Sequence, residues 1–103
     1  MQEPVYEVVW PKSRRGLQGR RAAARLDGLA GRRVGFVWDY MFRGDEIFPL
    51  LEEGLGRQFP GVSFVSYDTF GSTHGDRERE VLAEMPDKLR QLGVDAVISG
   101  MGC

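Results

Sequence analysis

The only cysteine of the chain, Cys103, follows Val97-Ile98-Ser99-Gly100-Met101-Gly102, an apolar stretch of strand length that runs into a glycine-flanked turn. At the carboxyl end of a strand in an open α/β sheet, a thiol stands where ligand chemistry is normally assembled. A lone cysteine can be a buried inert thiol, a reactive thiol or half of an intermolecular pair. Its place beside glycines at a strand end favours a functional role for Cys103. A helix N-terminus following it would stabilise the thiolate, whereas a carboxylate terminus beside it would disfavour that form.

Two further loops hold groups that could act with Cys103. Asp39 directly follows the apolar run Val34-Gly35-Phe36-Val37-Trp38 and could serve as a base, a hydroxyl anchor or simply a turn former. Arg43 could pair with a substrate carboxylate, or with Asp45 or Glu46 at the surface. The stretch Asp68-Thr69-Phe70-Gly71-Ser72-Thr73-His74-Gly75 is rich in hydroxyls and contains the only histidine. Thr69, Ser72, Thr73 and His74 could orient an anionic substrate or move a proton, and the alternative is a solvated turn. Gly100 and Gly102 would let a ligand approach backbone N–H groups, although their spacing matches neither a dinucleotide fingerprint nor a P-loop.

The elements that must position these residues follow from hydrophobic patterning. Val34 to Trp38 is continuously apolar, which predicts a strand covered on both faces, as in a parallel sheet. Phe48, Leu51, Leu55 and Phe59 recur at helical spacing; Asp45 is the expected N-cap, Pro49 is acceptable in the first turn, and Pro60-Gly61 ends the helix. Val62 to Tyr67 predicts a second strand. Asp76 is the expected cap of a second helix through Val81, Leu82, Met85, Leu89 and Leu92, kinked or divided at Pro86 and ended by Gly93. Val94 to Ser99 forms strand three.

The resulting order, β-α-β-α-β over 32–103, predicts an α/β fold: a three-layer parallel sheet, half of a doubly wound fold. Residues 1–31 are expected to form a basic N-terminal arm with a short strand at 4–10 and a short helix at 18–27. Parallel strands place the loops Asp39–Asp45, Asp68–Gly75 and Gly100–Cys103 at one edge. Three strands leave two open edges, so a second chain, a C-terminal half or the arm is expected to cover at least one.

Composition narrows the function classes. Eight of the 14 Lys and Arg residues lie between Lys12 and Arg33, yet Arg14-Arg15, Arg20-Arg21 and Arg32-Arg33 lack interleaved aromatics or a groove-reading motif. Nucleic acid is therefore a poor candidate partner, and a solvated arm or a dock for an acidic surface a better one. One cysteine and one histidine argue against a structural zinc site, and no cofactor is expected. No stretch has the apolar length of a membrane span, and Met1-Gln2-Glu3-Pro4 does not begin a secretory signal. The expectation is a cytoplasmic protein without membrane contact.

From Leu26 to Cys103 the chain resembles a family known from its UGSC motif, in which selenocysteine or cysteine, glycine, serine and cysteine follow strand three. The match lies in Leu29-Ala30-Gly31-Arg32-Arg33-Val34-Gly35-Phe36, in the helix with Phe48, Leu51 and Leu55, and in Asp95-Ala96-Val97-Ile98-Ser99-Gly100-Met101-Gly102-Cys103. The resemblance implies thiol or selenol chemistry on a small substrate, with a second cysteine resolving the adduct.

The motif itself would begin at or after Cys103. Cys103 is then the neighbour of the reactive chalcogen or, in another register, the cysteine form of it. A chain stopping there is expected to be incomplete alone, whether through an in-frame UGA codon, a split enzyme or a fragment. The leading expectation is the N-terminal half or a subunit of a thiol- or selenol-dependent enzyme, oligomeric or completed by a further segment. Two alternatives stand beside it: an interaction module using an open sheet edge and the basic arm, and a cysteine proton-transfer domain. The latter rests on a looser resemblance to half of an aspartate/glutamate-racemase-type domain. A small-anion site at Ser72, Thr73 and the terminal glycines is a further reading.

Overall fold

A computed structural model describes residues 19–101 together with Val5 and Glu7. The strand expected at 4–10, the basic residues from Lys12 to Arg15, and Gly102 and Cys103 lie outside the described residues.

Strand β1 (Arg33–Trp38) leads to helix α1 (Gly44–Gln58), strand β2 (Ser63–Val65), a 3₁₀ turn at Tyr67–Thr69, helix α2 (Glu78–Gln91) and strand β3 (Ala96–Gly100). The sheet order is β2-β1-β3, and both pairings are parallel. Val34 lies beside Phe64 on one side and Ala96 on the other, so β1 is the central strand. Residues 34–38 are all buried, as continuous apolarity predicts for a strand covered on both faces. The first right-handed crossover runs from β1 out to β2 and the second runs back from β2 past β1 to β3, so the two helices lie on opposite faces, giving the α/β three-layer arrangement.

On one face Phe36, Trp38 and Phe48 form the core, with Leu51, Phe64, Tyr67, Ile98 and Met101 packed around them. The Phe36 ring lies 4.8 Å from that of Phe48 and stacks on Phe64 at 5.6 Å. Such contacts add to the burial of apolar area, the main favourable contribution to folding. On the other face Gly35 has no side chain, and Phe70 and Val94 close over it; a Cβ at Gly35 would sit 3.2 Å from Val94.

Local chemistry departs from expectation at the helix starts. α1 begins at Gly44 after Arg43, with no side-chain cap, since a guanidinium has no acceptor to offer; the Arg43 carbonyl accepts the N–H groups of Glu46 and Ile47 at 3.1 and 2.9 Å. Asp45 is therefore not the N-cap; with Glu46 it sits in the first turn, where negative charge complements the helix dipole. Pro49 lies beyond the first turn and forgoes one helical bond. α2 likewise starts at Glu78 after Arg77, so Asp76 does not cap it, and Pro86 neither divides nor ends it.

Its end does follow the sequence. The N–H of Val94 reaches the Leu89 carbonyl and that of Gly93 the Arg90 carbonyl, with Gly93 at φ +65°. That is the double bond of a Schellman motif, which glycine permits without strain. Residues 19–29 form no helix. Ala22 to Leu26 have helical propensity but expose every side chain, and a helix shorter than about 12 residues is marginal without a buried face. No helix among the described residues is long and apolar enough to cross a membrane.

Gly44 is required by close approach. A Cβ there would lie 2.4 Å from the Trp38 ring, whereas one at Gly54, also in α1, would meet nothing within 4 Å. Gly44→Ala is expected to cost about 1–3 kcal/mol through overpacking. Gly54→Ala is expected to stabilise by about 0.5–1 kcal/mol through helix propensity. Urea unfolding of the two variants measures this contrast.

Candidate functional site

The carboxyl ends of the three strands meet around Asp39, the first residue after β1. Its main-chain N–H donates to the Gly100 carbonyl at 3.2 Å, extending the β1–β3 ladder past Trp38. Its carboxylate Oδ1 accepts the N–H of Met41 at 3.1 Å and of Met101 at 3.2 Å. Its carbonyl oxygen lies 3.3 Å from the hydroxyl of Ser72. One residue thus joins all three exit loops, and its side chain holds the segment leaving β3.

The second loop is fastened by its own backbone. The N–H of Thr73 donates to the Trp38 carbonyl at 3.1 Å, and Trp38 and Ser72 form an isolated parallel bridge. Ser72 Oγ accepts from the His74 N–H at 3.1 Å and lies 2.6 Å from the His74 carbonyl. Ser72 therefore shapes the turn locally, as serine commonly does. The His74 residue is exposed.

Among the residues expected at the site, the structure brings together Asp39, Ser72, Thr73 and Gly100, with His74 following in the same turn. Arg43 and Thr69 stand apart. Arg43 is directed to Glu46, 3.8 Å away, in an exposed pair one helical turn along, an arrangement open to it because the helix starts beside it. Thr69 falls in the 3₁₀ turn, exposed, where its carbonyl accepts from Lys88 Nζ at 3.3 Å. Gly102 and Cys103 lie outside the described residues, one and two positions beyond the tethered amide of Met101. No group of three or more potential metal ligands gathers among the described residues.

Sequence reasoning passed over the aromatic wall beside these loops. Tyr40 stacks on Trp38 at 4.5 Å, and Tyr67 meets both rings edge-on at 4.8 and 5.6 Å. Trp38 Nε1 donates to the Met41 carbonyl at 2.9 Å. Tyr40 and Phe42 hold φ of +62° and +61°, a backbone region costly for bulky residues. The available signal was aromatic crowding at the ends of two strands: Trp38, Tyr40 and Phe42 after the first, Tyr67 after the second. Partial burial, then the neighbouring Tyr67 and Asp68, raise the Tyr40 pKa above its ordinary value of 10.0.

Two outcomes follow. Asp39→Ala leaves two amides without their acceptor and is expected to destabilise by about 1–3 kcal/mol in urea unfolding, while Asp39→Asn, which keeps an acceptor oxygen, costs less. Because the folded-state pKa of Tyr40 is raised, its contribution to stability is present below the unfolded pKa and is lost as pH climbs through the folded value. Alkaline melting curves should show this loss in the parent and its absence in Tyr40→Phe.

No curated protein and no solved structure matches the chain significantly. The UGSC family model matches residues 7–103, from the N-terminal segment through all three strands and the loops that Asp39 joins. By this match over most of its length, the chain belongs to the UGSC family.

Proposed function

We propose that the chain is the N-terminal half, or one subunit, of a thiol- or selenol-dependent enzyme that acts on a small substrate in the reducing cytoplasm. The observation carrying this reading is the Asp39 hub. It gathers three strand-exit loops at the edge where α/β sheets bind ligands, and it anchors Met101 two residues before the only thiol. Membership of a family known from a chalcogen-Gly-Ser-Cys motif supplies the chemical class.

The reaction that fits is chalcogen exchange. The Cys103 thiolate attacks one sulfur of a small disulfide, the S–S bond breaks, and the other sulfur leaves as a thiolate and takes a proton from water. A second thiolate or selenolate then attacks the Cys103 sulfur of the mixed disulfide. It expels the substrate's remaining half as a thiolate and stays bonded to Cys103. The polar loop at Ser72 and Thr73 and the Tyr40 and Tyr67 rings would line the substrate's approach.

The isolated chain is expected to react once per molecule with an aromatic disulfide probe and not to turn over. Turnover is expected when the chalcogen-Gly-Ser-Cys segment is supplied and a thiol reductant is present, and to be lost in Cys103→Ser with assembly intact. Full turnover by the isolated chain, or turnover independent of Cys103, would contradict the reading.

An interaction module is the second reading. It is favoured by β3, whose Val97 and Ser99 remain exposed on a sheet edge. Loss of assembly in Cys103→Ser, with no thiol reactivity in the parent, would favour it.

A further inference from the structure

The two edges of the sheet differ in kind. β2 offers only Ser63–Val65 before the chain turns into a 3₁₀ helix, too short an edge to template another strand. β3 offers five residues, Ala96–Gly100, with no charge and no proline, and so lacks the devices that normally blunt an edge. The direction of its free groups follows from the ladder. Asp39 N–H bonds the Gly100 carbonyl, and peptide groups alternate along a strand. Ala96, Ile98 and Gly100 therefore turn toward β1, leaving the N–H and C=O of Val97 and Ser99 facing outward.

We propose that this edge is covered by β3 of a second copy of the chain, antiparallel about a two-fold axis at Ile98. In that register Val97 of one copy exchanges both main-chain bonds with Ser99 of the other, and the reverse, so the four outward groups of each strand are all paired. Ile98 faces itself on the side where it already packs with the Phe36 core. Val97, 42% exposed, comes to lie beside Ser99 on the other face. No charge faces a like charge, as a self-complementary interface requires. The result is one six-stranded sheet, β2-β1-β3-β3-β1-β2.

A fourth strand reached by another crossover fits this edge less well. Continuing outward from β3, a right-handed crossover helix would lie on the α2 face. That flank already holds residues 23–29. Ala23, Leu26 and Leu29 face Leu89, Val94 and Val97 across a cleft of about 640 Å³. Strand addition by a second copy needs no crossover and leaves this segment in place. The inference is independent of the chemistry proposed above.

Sedimentation equilibrium of the chain and two double variants tests it, with melting curves confirming that each is folded. Val97 and Ser99 are both exposed, so neither change opens the core. The parent is expected to be a dimer. Val97→Lys with Ser99→Lys sets like charges opposite and should give a folded monomer. Val97→Lys with Ser99→Glu sets opposite charges in the same register and should restore the dimer. A parent that stays monomeric at micromolar concentration, one that pairs only with a different chain, or a lysine double variant that remains dimeric would each overturn the proposal.

Discussion

Strand β1 is bonded on both sides and covered on both faces, and every other element takes its position from that. Its even-numbered residues build the aromatic core under α1, while Gly35 and Val37 face the layer closed by Phe70 and Val94. The strand's influence does not stop at Trp38. Asp39 carries the ladder one residue further through its N–H and then binds Met101 through its carboxylate. Backbone polar groups at a strand exit must find partners when water is limited, and here a single side chain satisfies amides from two loops. The arrangement of the strand ends therefore combines the sheet's own hydrogen bonding with the bonds that Asp39 makes to the loops.

The aromatic residues give that edge its shape. Trp38 is both core and rim: its ring packs edge-on to Phe48 at 6.1 Å, its Nε1 fixes the Met41 carbonyl, and Tyr40 stacks on its outer side. Gly44 must remain without a side chain for this ring to lie across the start of α1. Tyr40 and Phe42 adopt positive φ within a loop whose ends are fixed by Asp39 on one side and the helix on the other. Backbone strain of this kind persists only where surrounding contacts over-determine the conformation. A polar loop, a carboxylate brace and an aromatic wall thus converge two residues before the only thiol, which is the physical basis of the chemistry proposed for this member of the UGSC family.

Much of the architecture was readable from residue patterns. Continuous apolarity from Val34 to Trp38 announced a central strand, helical spacing from Phe48 to Leu55 announced α1, and Gly93 announced the end of α2. The helix starts were misread because Asp45 and Asp76 are good capping residues by type, whereas the backbone begins each helix without a side-chain cap at Arg43 and Arg77. The helix at 18–27 was misread because propensity without a burial partner does not hold a short helix. At the site, topology alone was enough to bring Asp39, Ser72, Thr73 and Gly100 together. What Asp39 does there was not readable, since a carboxylate's choice between solvent, substrate and two backbone amides depends on a three-dimensional register. Arg43 found a nearer carboxylate in Glu46, a local competition that spacing alone leaves open.

The central claim is that the exit of β3, at Met101, is held as firmly as the sheet itself by the Asp39 carboxylate. Amide hydrogen exchange at Met101 tests this most directly. Protection of the Met101 N–H comparable to that of the β1 amides at Phe36 and Val37 is the predicted result. Exchange as fast as in an unstructured peptide would contradict it.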